Sequence, residues 1–338
     1  MFSDILCADI LYYCAAAAIL GLFAHSIPFS WHFRLFRPLV FLKIRLLLFK
    51  AELLLYPKDK RSEIEQMWLE SLYPLGVEPF DREVVYKTWA TLDDCDFRLH
   101  ISNSSYAKNL DACRLKSAVA SLPGFIRAGG WIGLGGLHFL FLSEIPLFAR
   151  IEQRVRFASW DNKWMYVIVR VVTLPTAAQK KKGERFAKEQ TVREDSPSSI
   201  HGPSILELPQ RFRPDAVEPD GAIVHCIAIS DMVMKIGRVT VPPALAFACE
   251  GFSKPSPDPS APYSATKPPP HWKHVQAIWK SGGAKAMRDF LSGGWKSVPE
   301  KEKWWDDALS GPVESKRLDN LKMVRGIRAG MEGFKHSS

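Results

Sequence analysis

The chain opens on an apolar run, Ile10 to Ile27, with no Asp, Glu, Lys or Arg among its eighteen residues. That is close to the ~20 apolar residues a helix needs to cross a bilayer core, so the pattern predicts a transmembrane anchor over 8–27. Two alternatives stay open. A cleaved signal peptide would release a secreted enzyme, but the preceding MFSDILCAD is acidic where such peptides are basic. The other alternative is a buried core helix.

From Phe29 to Lys50 aromatic and aliphatic residues are interleaved with Arg34, Arg37, Lys43, Arg45 and Lys50. This is expected of a basic collar at a membrane surface, or of an amphipathic helix packed on the domain. Pro38 is expected to interrupt any single helix there. PKDKR at 57–61 closes this part.

Period-two alternation then marks a strand at Glu83–Thr91, followed by a turn-rich stretch. Ser102, Asn103 and Ser104 are candidate N-caps for a helix over Tyr106–Ser121, which Pro123-Gly124 ends. Glycine-spaced hydrophobics fill Gly129–Leu142. Strands are predicted at Ala149–Phe157 and Trp164–Leu174, joined by a Trp160-Asp161-Asn162-Lys163 hairpin turn, and another at Ala222–Met232. Residues 177–220 are polar, with a lysine triplet at 180–182, and read as a long surface excursion or a disordered insertion. Seven prolines in the eighteen residues of 253–270 make a linker. Beyond it, three short helices are predicted at 274–291, 300–309 and 313–332. The last carries an apolar stripe of Leu318, Leu321, Val324, Ile327 and Met331, expected to pack as a face against the main domain.

Strand, helix, then several strands without βαβ alternation predicts an α+β antiparallel sheet around one helix. The chain lacks a glycine-rich phosphate loop and a GxSxG elbow, so nucleotide and serine-hydrolase chemistry have no support. The 338 residues carry 45 Lys and Arg against 36 Asp and Glu, a net charge of +9. The excess sits at the two ends: residues 28–61 hold eight basic residues against two acids, and 253–338 fifteen against nine. A nucleic-acid domain concentrates such charge in its folded core, so no nucleic-acid partner is expected. The six cysteines have neither metal nor disulfide spacing, which predicts reduced, packed thiols in a cytosolic domain. The basic flank after the apolar run puts the main domain on that side of the membrane.

The richest stretch is Asp93-Asp94-Cys95-Asp96-Phe97-Arg98-Leu99-His100-Ile101-Ser102-Asn103-Ser104-Ser105-Tyr106. Its D-x-D-x-x-x-H-x-x-N-x-x-Y pattern resembles the hotdog-fold thioesterases, in the branch like thioesterase superfamily member six. Its DCD also resembles that of 4-hydroxybenzoyl-CoA thioesterases. RIEQRVRFASWDNK at 150–163 is similar to the family's strand and W-D-[DN]-[KR] turn, and KIGRVTVP at 235–242 to its closing motif. One departure is Ser102, which stands where the family pattern has the first of two Asn residues.

The resemblance implies a hotdog domain at 78–252, with the apolar anchor before it and a helical extension at 271–338 after it. It implies a homodimer and hydrolysis of acyl-CoA or another acyl thioester, without cofactor or metal. Asp96 is the expected catalytic carboxylate, with His100 and Asn103 beside it. Ser102, Ser104 and Tyr106 are the expected substrate contacts. Asp93 and Asp94 read as turn or solvent-facing acids, and Asp111 with Arg114 as a helix ion pair. With the anchor, this describes a single-pass membrane protein of the endoplasmic reticulum. The alternative is an inactive hotdog module that binds acyl ligands or scaffolds partners at the membrane.

Overall fold

The computed structural model describes residues 2–174 and 218–333, so nearly all of the polar 177–220 stretch lies outside the described residues. Helix α1 (Phe2–Leu22) and helix α2 (Ser30–Leu53) are joined by a short turn, and α3 (Lys58–Glu70) leads to strand β1 (Glu83–Trp89). Then come α4 (Asn103–Ser121), α5 (Pro123–Arg127), β2 (Gly130–Phe141), β3 (Arg150–Trp160), β4 (Trp164–Thr173), β5 (Ile223–Ile236) and β6 (Val239–Thr240). The chain ends in α6 (Pro243–Cys249), α7 (Trp272–Leu291), α8 (Trp304–Ala308) and α9 (Pro312–Gly333). Among the described residues, no helix is long and apolar enough to cross a membrane. Side chains before residue 9 are not among them.

The sheet runs β1-β3-β4-β5-β2, antiparallel throughout, with β6 on β5. This is the hotdog arrangement that the resemblance implies, with α4 packed against β1 and β3. The alternation read from the sequence is the reason: Val84 and Tyr86 of β1 face inward, whereas Lys87 faces out. The β3–β4 turn forms where expected, its Asp161 carboxylate accepting the backbone N–H groups of Lys163 and Trp164 at 2.8 and 2.7 Å.

One expectation needs correction. Pro38 does not break the helix, because α2 runs through it from Ser30 to Leu53. A proline inside a helix costs about 3 kcal/mol, and here packing opposes that cost: Leu35 and Leu39 on the same side turn toward the domain, where α2 lies along α4. The tail packs on the domain. Trp272, Val275, Met287, Leu291, Trp305 and Val313 share one core with the sheet residues Val155, Phe157 and Val169. The stripe on the last helix is only half used: Leu321 and Val324 pack on Tyr166, while Leu318 and Ile327 stay exposed.

α4 ends at Ser121, just before Pro123-Gly124 as expected, and the same two residues begin α5. Glu250, fully buried at the end of α6, accepts the backbone N–H groups of Gly124 at 2.9 Å and Phe125 at 2.5 Å. Burial pushes its carboxyl up to about 8, although those N–H groups and Arg127 pull the other way. Gly124 fits because a Cβ there would lie 2.7 Å from the Tyr73 ring. Cys113, Cys226 and Cys249 are buried and free, and burial pushes the first two thiols up to about 12.

Candidate active site

The segment from Thr91 to Ser102 folds into a tight acidic hairpin just before α4. Cys95 pairs with Ile101, and the Asp96 N–H donates to the His100 carbonyl at 2.8 Å. Leu99 turns the corner at φ 60°, a left-handed conformation that few non-glycine residues adopt. One oxygen of Asp96 accepts the backbone N–H groups of Arg98 at 2.9 Å and His100 at 3.4 Å. Asp96 is exposed, and its second carboxylate oxygen has no part in the turn. His100 Nδ1 lies 3.2 Å from Glu144 Oε2, and the Arg98 guanidinium lies 3.3 Å from the other oxygen of Glu144. The hairpin thus carries a solvent-reachable carboxylate and an imidazole, with Glu144 of the loop after β2 beside the imidazole. Phe97 projects from its tip at 94% exposure.

Asp94 behaves differently, correcting the expectation of a solvent-facing acid. It has no solvent exposure, meets His25 Nδ1 through Oδ2 and accepts the Thr91 hydroxyl at 3.0 Å. Burial pushes its carboxyl up, but the His25 and Thr91 hydrogen bonds and the Arg34 charge together hold it below the usual carboxylate range. The carbonyl of Asp94 accepts the Ser102 N–H at 2.9 Å, fixing the hairpin to the start of α4. His25, at the end of the apolar run and itself buried, therefore belongs to the support of this loop. Its own carbonyl accepts the Ser30 hydroxyl at 2.7 Å. His25, Asp93 and Asp94 bring three ligand-type atoms within 4.8 Å of one another, but Asp94 already spends one oxygen on His25 and Thr91.

The helix that follows starts open. Ser102 is its cap residue, yet no side chain caps the first turn. The Ser102 hydroxyl instead shares a hydrogen bond with the Ser104 hydroxyl at 2.7 Å. Asn103 and Ser104 are exposed. A helix start of this kind presents backbone N–H groups and the positive end of the macrodipole to whatever binds there. Tyr106 is not on that rim. It is 4% exposed and packs among Ile101, Ile145, Val171 and Cys226, edge-on to Phe141. As a substrate contact it is corrected to a core residue, because the inward face of α4 begins with it. Asp111 and Arg114 form the expected ion pair at 2.5 Å, and Arg114 also donates to the Ser230 hydroxyl.

The structure therefore gathers Asp96, His100, Ser102, Asn103 and Ser104 at one end of α4 and removes Tyr106. Sequence reasoning missed His25 and Glu144. Neither carries a local signal: His25 stands 69 residues from its partner, and Glu144 sits in a loop after β2.

Residues 90–193 match the sequence model of the thioesterase-like superfamily. The chain is 26% identical over 172 residues to the "Probable thioesterase atnL" of Emericella nidulans, covering 43% of this chain and 49% of that protein. It is 33% identical over 86 residues to a probable thioesterase of Saccharomyces cerevisiae, covering 25% of this chain and 37% of that one. The chain thus spans half or less of the length of these curated relatives. Among solved structures, it is 10% identical to a 1,4-dihydroxy-2-naphthoyl-CoA thioesterase from Synechocystis, at a TM-score of 0.31, covering 50% of this chain and 96% of that one.

Proposed function

We propose that this chain, which matches the thioesterase-like superfamily over residues 90–193, hydrolyses acyl thioesters at the open start of α4. The observation that carries the reading is the uncapped first turn beside the exposed carboxylate of Asp96. A thioester carbonyl placed there finds free N–H donors and the helix dipole where negative charge develops. The unused oxygen of Asp96 takes a proton from water, and the water oxygen bonds to the carbonyl carbon. The C–S bond then breaks, and that proton goes to the departing sulfur. His100, held by Glu144, and the side chains of Ser102, Asn103 and Ser104 orient the substrate. Asp94 and His25 are positioning residues that hold the hairpin from behind.

Two further parts of the reading concern assembly and place. β2 is an edge of the sheet and leaves Trp131, Leu134, Leu140 and Phe141 exposed, which suits pairing with β2 of a second copy in a homodimer. α1 exposes Ile10, Leu11, Ile19 and Leu20, which suits burial in a membrane, with the α+β domain on the cytosolic face of the endoplasmic reticulum. The test is a panel of acyl-CoA thioesters on the full chain, comparing wild type with Asp96→Asn. We expect turnover in wild type. A folded chain inactive across the panel would overturn the reading.

A further inference from the structure

Between α2 and α4 lies a cavity of about 540 Å³. Its inner wall is one side of α4 from Asp111 to Leu122, a length of about 16 Å at 1.5 Å per residue. Phe157, Met165 and Val167 of the sheet form its floor, and Trp31, Leu35 and Leu39 of α2 its outer wall. The charged groups on the lining are Asp111 and Arg114, which are paired with each other. What remains is an elongated apolar space, which suits hydrocarbon rather than a polar or charged ligand.

The outer wall is unusual in being apolar on both sides. Away from the cavity, α2 exposes Phe33, Val40, Phe41, Ile44, Leu47 and Leu48, a single stripe at helical spacing. Lys43 and Lys50 flank this stripe on one side and Arg45 on the other, whereas Arg34 turns inward to donate to Asn109 at 2.6 Å and the Arg37 guanidinium lies over the Tyr86 ring. An apolar stripe between two cationic margins is complementary to an anionic bilayer surface, with stems buried and charges at the headgroups. α2 precedes the superfamily match, which begins at residue 90.

We propose that the cavity between α2 and α4 binds the tail of a long-chain acyl thioester, and that α2 separates it from the bilayer in which such tails reside. This rests on the hydrolase reading and narrows its substrate class. The near end of the cavity, at Asp111, is eight residues along α4 from Asn103, or about 12 Å. A short or compact acyl group with its thioester at the start of α4 leaves the cavity empty, whereas a long tail reaches it.

The experiment uses the full chain in phosphatidylcholine–phosphatidylserine vesicles with two probes that need no turnover: radiolabelled palmitic acid and a diazirine analogue of it. Ala118→Phe and Leu39→Trp fill the cavity from opposite walls. Both are expected to lower palmitate binding at least tenfold and to remove palmitoyl-CoA hydrolysis while sparing butyryl-CoA. Photo-adducts are expected on α2 and on residues 115–122. Unchanged palmitate binding in both folded variants overturns the site, as do adducts confined to other surfaces, including one formed by two copies. If a variant fails to fold, the wild-type adduct map decides. Palmitate captured in the cavity without hydrolysis of any thioester leaves the site standing and removes the hydrolase reading. Hydrolysis with palmitate binding indifferent to both substitutions does the reverse.

Discussion

Two helices begin within twenty-one residues of each other, and they are treated in opposite ways. The first turn of α5 is closed by Glu250, whose two oxygens accept the N–H groups of Gly124 and Phe125 inside the core. The first turn of α4 is left open at the surface, with Ser102 bonded to Ser104 instead of to the backbone. The carboxylates differ to match. Burial raises Glu250 to about 8, while Asp96 lies exposed on a turn of its own making. A start that is sealed serves the fold, because buried N–H groups require partners. A start that is kept open retains donors for a ligand.

The sharpest way to break this contrast is Asp96→Asn. Its amide keeps an acceptor for the turn but cannot take a proton, so thioester turnover should fall ~10²–10⁴-fold, the range for a positioned general base, with the melting temperature unchanged. Steady-state assays with calorimetry on the same preparation check this.

Removing the support beneath the open start comes next. His25→Ala leaves the buried Asp94 carboxylate with the Thr91 hydroxyl and the more distant Arg34 charge, and breaking a buried pair of this kind costs ~3 kcal/mol. Asp94 is held below its ordinary range in the native state, so the stability it contributes is present above the unfolded carboxylate pKa, ~3.9, and is lost as pH falls through the native value. The penalty of His25→Ala should therefore be full at pH 7 and shrink in acid. Denaturant titrations at neutral and acid pH measure it.

At the sealed start, Glu250→Ala strands two buried N–H groups and should cost ~2–3 kcal/mol. The pH dependence has the opposite sign to that of Asp94. The native state keeps the Glu250 proton up to about 8, whereas the unfolded chain releases it near ~4.3. Stability is thus full below the unfolded value and declines as pH rises to the native one. Glu250→Gln should flatten that decline in denaturation midpoints compared between pH 5 and pH 8.

The smallest expected effect converts one start into the other. Ser102→Asp supplies the missing cap and should stabilise the protein by ~0.5–1 kcal/mol, while lowering thioester turnover by about tenfold as the first-turn donors are taken. A variant that gains stability with undiminished turnover would separate the open helix start from the chemistry.

Much of this arrangement is legible in local pattern. The alternation Val84, Lys87 places β1 correctly, the Asp161 turn joins β3 to β4, and Ser102 is read as a cap because its neighbours are polar and helix-breaking. What escapes the sequence depends on distance along the chain. Glu250 reaches Gly124 across 126 residues, and nothing near either position announces the contact. Pro38 misleads for a related reason: its local cost is visible, but the packing of α2 against α4 that opposes it is not. The position of Tyr106 shows the same limit at the site itself. Its spacing from Asn103 is right for the motif, and only the rotation of α4 against the sheet turns it inward.

The shared core has a consequence for the order in which the protein can be made. Val313 on α9 is completely buried among residues contributed by the sheet and by α7 and α8. A ribosome delivering ~5–20 residues per second releases the strands well before that helix. Until the final segment emerges, Phe157, Trp272 and their neighbours have no lid, and the nascent chain has an incomplete interior for chaperones to shield. Truncations that spare every residue of the candidate site but stop before Val313 should therefore yield aggregates in a cell-free translation reaction, and restoring α9 should yield soluble chain.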